Sequence, residues 1–533
     1  MKYIVITGGV ISGLGKGISA SSIGAILQNA GHVITMIKID PYINVDAGTM
    51  SPYEHGEVYV LNDGSETDLD LGNYERFLNI NLTEKHNITT GKVYQSVIND
   101  ERKGNYLGQT VQVIPHITDK IQQFIHEAAH TQIQNVNPDV CIIEVGGTVG
   151  DIESLCFIEA LRQMRYSNEN DDMCFIHVSL VNKIGLGEEF KTKPTQNSVK
   201  DLRQLGITPD LMIIRSENFI DESSKKKLSL FCQVPQTHII VNPNVNSIYE
   251  VPIVFNKQNI GKYISDKLSL SFEIPKLPLF NSYLQLNNKN LPLITIGIIG
   301  KYTKLTDSYL SIKNAIEHAA ISKKCKINIL WISSENVDLN IINTCDGVII
   351  PGGFGNRGVE GMITVANYCR INNIPLLGIC LGMHIICIEI ARSIYGNNCN
   401  SAEFEPNADN LIVKIIDNNE KLGGSMKLGL HETFIKTRNI SQKSLAFKIY
   451  DKISIKERHR HRYEINPKYI KSLSTKLFFS GNNNNSMDIV EDTDHKFYFG
   501  CQYHPEFLST LLKPSPVFLA LASACLVSDE SFH

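Results

Sequence analysis

No C-x-x-C pair occurs among the 12 cysteines of this 533-residue chain, and their spacings follow no framework. That excludes a zinc ribbon or a disulfide scaffold as the organising device and points to free thiols in a reducing compartment. A bulk excess of either charge is also missing: 51 Lys and Arg face 55 Asp and Glu, for a formal net charge of −4. No global basic field argues for nucleic acid or an anionic membrane, although local basic clusters can still hold phosphates. Long hydrophobic runs are absent too. The most apolar window, 376–391, contains His384 and Glu389 and falls short of a spanning helix. The opening MKYIVITGGV lacks the length and the cleavage site of a signal peptide, so the expectation is a cytoplasmic chain without nucleic-acid or membrane partners. No internal repeat stands out.

What remains is a soluble, globular composition, 42% apolar and 20% charged, on a chain too long for one core. From Met1 to about Lys267, strand-like runs such as YIVIT, HVITMIKID, DVCIIEVGG, CFIHVSLV, DLMIIRS and THIIVN alternate with helical patterns. Several end at glycine or a charged residue, as buried parallel strands do where they deliver loops to a site. The period fades between 268 and 292, read as a linker, and restarts at LITIGIIGKY, KINILWI, DGVIIPGG and NIPLLGIC. The fold class is therefore α/β in two domains, a P-loop-like parallel-sheet domain over 1–267 and a second α/β domain over 293–533. The tract GNNNNSMD at 481–488 reads as a surface loop.

In the first half, ITGGVISGLGKGISASS is a strand, a glycine turn and a helix start, with Gly13, Gly15 and Gly17 around Lys16. Such a turn presents backbone N–H groups and a lysine to a polyphosphate. It is not a strict Walker loop: Gly9 precedes Gly15 by one residue too many, and Gly17 stands where Ser or Thr would bind magnesium. Candidate oxygen ligands for Mg²⁺ are Asp70, in an acidic loop, and Glu144, at a strand end. Lys38 at the end of VITMIKID and the KTKPTQ segment supply further cations and hydroxyls.

In the second half, Gly378-Ile379-Cys380-Leu381-Gly382 has the G-x-nucleophile-x-G form between a strand and a helical run. A helix N-terminus behind the cysteine favours the thiolate. FYFGCQYHPEF supplies His504 as proton partner and Glu506 to orient it, while Gly352, Gly353 and the Leu381 N–H are candidates for an oxyanion hole. His459 and His461, set among arginines, read as part of an anion-binding segment rather than a metal site.

These residues resemble CTP synthase, an amidoligase domain fused to a class I glutamine amidotransferase domain. GGVISGLGKGISASS, KIDPYINVDAGTMSPYEHGEV, GQTVQVIPHITD, EVGGTVGDIES, KTKPTQ, PGGFGNRGVEGM, GICLGM, ERHRHRYE and QYHPEF carry the resemblance over nearly the whole chain. It implies phosphorylation of UTP by ATP, then amination to CTP with ammonia from glutamine. ATP would be met by Gly13, Leu14, Gly15, Lys16, Gly17, Ile18, Lys38, Asp70, Pro243, Asn244 and Val245, with Mg²⁺ on Asp70 and Glu144. UTP, or product CTP as feedback inhibitor, would be met by Ser12, Asp151, Ile152, Glu153, Lys191, Thr192, Lys193, Pro194, Thr195, Gln196 and Lys227. The implied glutaminase triad is Cys380, His504 and Glu506. Glutamine would be held by Gly353, Leu381, Gly382, Met383, His384, Glu403 and Arg462, and His55 would gate the ammonia passage. GTP as activator, a homotetramer and its stacking into filaments are implied as well.

Three departures matter. His384 stands where the family usually has glutamine, one helical turn past the nucleophile, and the expectation is glutamine affinity weakened by roughly 1–2 kcal/mol with chemistry retained. Asn197 follows KTKPTQ where histidine is common, and Pro243-Asn244 replace the lysine and aspartate usual in the adenine segment. The region 408–425 reads as a trimmed surface loop. A competing reading is a nucleotide-switched, partner-binding P-loop ATPase with a degenerate second domain; intact Cys380, His504 and Glu506 argue against it.

Overall fold

The structure, a computed structural model, describes residues 1–167, 172–183, 189–287, 290–416, 426–437, 443–483 and 486–526. It divides into two compact units, Met1–Gly48 with Asp70–Asn287, and Thr49–Leu69 with Asn288–His533.

The first unit is built on seven strands: β1 (Lys2–Gly8), β2 (Ile34–Asp40), β3 (Asn87–Thr89), β4 (Val140–Val145), β5 (Met173–Leu180), β6 (Leu211–Ser216) and β7 (Ile239–Pro243). They run parallel in the order β7-β6-β5-β1-β4-β2-β3. Their near-continuous apolar sequences follow from helices covering both faces, which leave no solvent side to alternate toward. Every strand predicted above for this half is present; the three-residue β3 carries too short a signal to be read. The parallel register sets Lys38 of β2 beside Glu144 of β4, and β1 flanks β4 on its other edge, so the strand ends gather charge at one rim of the sheet. Helix α1 (Lys16–Asn29) follows β1 across the glycine turn. Its small residues let it lie close to the sheet: a side-chain carbon at Gly24 would sit 3.2 Å from Leu78 and 3.4 Å from Ile142. Within 268–292 the described residues include a helix at Pro278–Asn287, buried Leu277, and Phe280 against Phe77 at 5.9 Å.

The second unit holds β8 (Leu293–Gly300), β9 (Lys326–Ser333), β10 (Gly347–Ile350), β11 (Leu376–Ile379), β12 (Lys427–Ile435), β13 (Ser454–His461), β14 (Phe478–Asn483), β15 (Ser486–Asp492) and β16 (Tyr498–Cys501). Their order is β9-β8-β10-β11-β16-β15-β14-β12-β13, parallel from β9 to β16 and antiparallel beyond. The parallel part matches the predicted strands. For the tract 481–488 the loop expectation is corrected in the described residues: 481–483 and 486–488 belong to β14 and β15, which pair with Asn482 opposite Met487, and 484–485 lie outside the described residues. The polar run survives burial by bonding inward. Fully buried Asp488 accepts hydrogen bonds from Thr433 at 2.8 Å and Ser486 at 3.1 Å. Of the proposed trimmed loop, 410–415 is a strand in a small separate sheet, and 417–425 lies outside the described residues.

The stretch Thr49–Leu69 is fastened to this second unit. Glu57 accepts from the Ser311 amide at 2.9 Å, near the start of the helix Leu310–Lys323, where a carboxylate offsets the helix dipole. The Tyr59 hydroxyl donates to the Phe507 carbonyl at 2.9 Å. Fully buried Arg458 donates to Asn62 at 2.7 Å, the Tyr59 hydroxyl at 2.9 Å and the Val60 carbonyl at 3.0 Å. Among the described residues no helix is long and apolar enough to cross a membrane.

Candidate active sites

The candidate phosphate residues lie at the rim of the first sheet. Gly13 and Gly15 have φ of +72° and +80°, with open space around the position a side chain would take. They are glycine for backbone reasons. Gly17 is glycine for a different one: a side-chain carbon there would meet Asp70 Oδ1 at 2.1 Å and Glu144 Oε2 at 3.3 Å. The place a Walker hydroxyl would fill is taken by a carboxylate. Lys38 Nζ bonds Asp70 and also donates to Glu144 at 3.0 Å, with Asp40 at 3.8 Å. Lys16 Nζ donates to the Gly147 carbonyl at 2.6 Å, in the loop after β4.

This is a crowded, largely buried group of charges. Burial, reinforced by Asp70, raises the Glu144 carboxyl above its ordinary range, and burial raises Asp40. For Asp70 burial also pushes upward, but the Lys38 charge and hydrogen bond outweigh it and hold Asp70 low. Burial lowers Lys16. Asp70 and Glu144 offer hard oxygens beside the helix N-terminus, a donor set that suits Mg²⁺ completed by phosphate oxygens rather than by an all-protein cage. Among the described residues no group of three or more His, Cys, Asp or Glu is arranged to hold an ion alone. Sequence reasoning missed Asp40 and Tyr74, whose hydroxyl bonds Glu144.

The remaining first-unit candidates fall around this centre. Gly13, Leu14 and Asn244 line one cavity of about 400 Å³ with Arg215, which donates to the Pro243 carbonyl and to Asn244 Oδ1, each at 3.1 Å. Val245 is half-buried beside them. KTKPTQ runs from strand into helix α2 (Lys193–Gln204), with Pro194 in the first turn where its missing N–H costs nothing. Thr192, Thr195 and Gln196 are buried and bonded internally, whereas Lys191 and Lys193 are exposed. The same helix touches the glycine turn: a side-chain carbon at Gly9 would lie 1.6 Å from Ser198 Oγ, which bonds buried His177 at 2.7 Å. Lys191 hydrogen-bonds Glu189 and holds it below its ordinary range, and the charge of exposed Lys227 acts on the same carboxylate from farther off. Ser12, Asp151, Ile152 and Glu153 are exposed; Asp151 accepts from the Thr148 amide at 3.1 Å.

In the second unit β11 ends at Ile379, Cys380 turns with φ +52° and ψ −98°, and helix α3 (Leu381–Tyr395) begins. The elbow demands its flanking glycines. A side-chain carbon at Gly378 would stand 2.6 Å from the Gly382 backbone, and one at Gly382 would stand 2.1 Å from the Ile350 carbonyl oxygen. The strained turn lifts the sulfur toward His504: the side-chain position of Gly352 is 2.8 Å from the His504 ring and 3.7 Å from Cys380 Cβ. Three segments far apart in sequence therefore converge. His504 Nδ1 pairs with Glu506 Oε1 at 2.7 Å. Burial alone would depress the imidazole, but the Glu506 carboxylate and the hydrogen bond with Cys380 push it up to about 10. A nucleophile, a proton carrier and an orienting carboxylate in this order can carry out acyl transfer.

Family comparison decides the setting. Residues 2–270 match the model described as CTP synthase N-terminus, and residues 304–524 match glutamine amidotransferase class-I. A CTP synthase of Natronomonas pharaonis is 46% identical, covering 99% of this chain and 96% of its own. One of Pyrococcus furiosus is 47% identical over 98% and 97%. The chain belongs to the CTP synthase family. A solved glutaminase domain of Trypanosoma brucei CTPS, with bound acivicin, is 34% identical over 44% of this chain and 93% of that one, at a TM-score of 0.41.

Against the pattern of CTP synthases, the glutamine-side candidates divide. Glu403 Oε1 accepts from the Gly355 amide at 2.7 Å, and burial raises its carboxyl; half-buried Arg462 adds an opposing charge. Gly353 adjoins Leu381, with a side-chain carbon there 3.5 Å from Leu381 Cδ2. Met383 is fully buried core, and Gly382 is spent on close packing. His384 is 3% exposed and its Nε2 bonds Gln502 Oε1 at 2.8 Å. His55 ends the short helix Pro52–His55 and is exposed. His459 and His461 bond each other at 3.0 Å in the interior, so the anion-binding role read from their arginine-rich surroundings has no exposed imidazole to use. Sequence reasoning missed Lys301, which bonds the carbonyls of Phe354 and Gly355 and so braces the glycine strand-end beside the elbow. It also missed Gln502, whose amide hides in a buried strand end.

Proposed function

We propose that this chain is a glutamine-hydrolysing CTP synthase that aminates UTP at the expense of ATP, through a phosphorylated UTP intermediate. The observation that supports it best is the pairing, in one chain, of the Lys16–Lys38–Asp70–Glu144 cluster with the Cys380–His504–Glu506 constellation. In the first unit the N–H groups of the glycine turn, with Lys16 and Lys38, bind ATP phosphates. The KTKPTQ segment with Lys227 and Ser12 meets UTP, and Asp151 to Glu153 recognise CTP. Pro243, Asn244, Val245 and Arg215 border the adenine. Asp70 and Glu144 would hold Mg²⁺, which when bound offsets the charge developed in phosphoryl transfer. The synthetase portion is assigned to 1–267 and the amidotransferase portion to 293–533.

In the second unit the Cys380 thiolate attacks the glutamine carboxamide carbon. The oxyanion is met by amides of Leu381 and the Gly352–Gly353 strand-end. His504 delivers a proton to the departing ammonia and then takes one from the water that hydrolyses the thioester, with Glu506 fixing its tautomer. His55 is assigned to ammonia transfer, GTP to activation, and the assembly to a homotetramer able to stack into filaments. The test supplies UTP, ATP and Mg²⁺ with either ammonium or glutamine plus GTP and follows CTP. Both nitrogen sources should work in the wild type, and Cys380→Ala should use ammonium only. No CTP from either source would sink the reading.

A further inference from the structure

The fully buried amide of Gln502 sits between His384 and the reactive sulfur and is not among the glutaminase roles assigned so far. Gln502 Oε1 lies 2.8 Å from His384 Nε2, and Gln502 Nε2 lies 3.8 Å from Cys380 Sγ. A carbonyl oxygen only accepts, so His384 must donate from Nε2. Burial pushes His384 down to about 4, so at neutral pH the ring carries one proton, and this bond fixes it on Nε2. Nδ1 is then a bare lone pair. It is buried and makes no hydrogen bond among the described residues, as that tautomer requires; an N–H there would be an orphan donor. The other end of the amide is thereby committed: its NH₂ group, and not its oxygen, faces sulfur.

Besides its hydrogen bond with His504, the sulfur has a second polar neighbour, opposite in kind to Gln502. Cys380 Sγ lies 3.7 Å from the Arg460 carbonyl oxygen, which accepts from a thiol S–H but repels a thiolate. The Gln502 N–H does the reverse, stabilising the thiolate. The backbone on each side is fixed: the Gln502 main-chain N–H bonds the Asp488 carbonyl at 2.9 Å, the Cys380 main-chain N–H bonds the Cys501 carbonyl at 2.7 Å, and Arg460 pairs with Leu428 in the ladder of β13 and β12.

We propose that Gln502 is the hydrogen-bond donor that selects the thiolate form of Cys380, and that His384 is the positioning residue that turns its amide the right way round. The proposal rests on reading the second unit as a glutaminase. It differs from a glutamine-affinity role for His384, because an effect passed through the sulfur appears in kcat and in thiolate reactivity rather than in KM.

The test uses the full-length chain and the pH profile of Cys380 alkylation by iodoacetamide, read at the Cys380 peptide by mass spectrometry. Gln502→Leu should move the profile to higher pH and slow alkylation at pH 6.5 about tenfold. His384→Leu should do the same by about threefold, with glutamine KM changed less than twofold, and His384→Gln, whose amide again donates to the Gln502 oxygen, should restore the wild-type profile. A Gln502→Leu profile that overlays the wild type overturns the proposal. So does a His384→Leu profile that overlays it while Gln502→Leu shifts. If thermal unfolding shows that Gln502→Leu does not fold, isosteric Gln502→Glu decides: a carboxylate beside the sulfur should shift the profile further, and no shift overturns the proposal. A wild type that forms no CTP would instead sink the functional reading, leaving the alkylation profiles to judge this one.

Discussion

Gly17→Ala isolates the phosphate site with a single methyl. The substitution is compatible with helix backbone, since Gly17 lies in the first turn of α1 and alanine is a better helix former than glycine. Its cost is therefore spatial. The new carbon would be 2.1 Å from Asp70 Oδ1, whereas ordinary contact begins at 3.4 Å, so the carboxylate must retreat by more than about 1 Å. Asp70 cannot move alone, because Lys38 bonds it and Glu144 together. A displacement of about 1 Å at a positioned catalytic group costs on the order of 10²-fold in rate. We expect ammonium-dependent CTP formation to fall at least that far, while Cys380 alkylation, read in the second unit, stays at the wild-type rate. Gly13→Ala is the contrast: it meets no atom within 4 Å and suffers only the left-handed backbone, a penalty of about 1–2 kcal/mol. Ammonium-dependent turnover by Gly17→Ala within threefold of wild type would refute the claim that Asp70 occupies the missing Walker hydroxyl's place.

Arg458→Ala removes the buried guanidinium that bonds Asn62, Tyr59 and Val60, at an expected cost of about 3 kcal/mol or more; limited proteolysis should then cut within 49–69, and an uncut segment would show that its other contacts suffice. The His504–Glu506 pair should leave a pH signature. Because the folded-state imidazole is raised to about 10, its contribution is complete below about pH 6.5 and is lost as pH rises toward 10. The wild-type unfolding free energy, measured by denaturant titration, should therefore fall more steeply across that window than that of Glu506→Gln, by at most about 1.4 kcal/mol per pH unit; parallel slopes would refute the ion pair.

The parallel strands were legible because burial on both faces writes an unbroken apolar run that needs no partner to be recognised. Helix α1 and the elbow were legible for a related reason, since a glycine turn between strand and helix is a local event. What was not legible depends on residues far apart. Glu57, Tyr59 and Asn62 look like an ordinary polar stretch, and only their partners Ser311, Phe507 and Arg458, hundreds of residues away, give them a place. The tract 481–488 reads as loop because its composition hides the strand pairing of its described residues, where Asp488 bonds Thr433 and Ser486. Gly17 was read as a flaw in a phosphate loop. The flaw and Asp70 are one feature seen from two ends, and no spacing rule connects position 17 to position 70.

The same cluster carries a consequence for ligand binding. Buried Asp40 and Glu144, with partly buried Asp70, outnumber buried Lys16 and Lys38, and Lys38 already serves two of the carboxylates. A lysine committed in this way cannot also neutralise a polyphosphate, and three carboxylates at the mouth of the glycine turn repel one. Nucleotide affinity should therefore depend on a divalent cation relieving Lys38 of Asp70 and Glu144. The expected outcome is that ATP binding, measured by calorimetry, weakens at least tenfold when the divalent ion is chelated. Asp70→Asn, which removes one of the repelling charges, should shrink that difference several-fold even as it lowers turnover. Equal ATP affinity with and without the ion would mean that Lys38 leaves its carboxylates at little cost, and that the short contacts among Lys38, Asp70 and Glu144 do not govern the site.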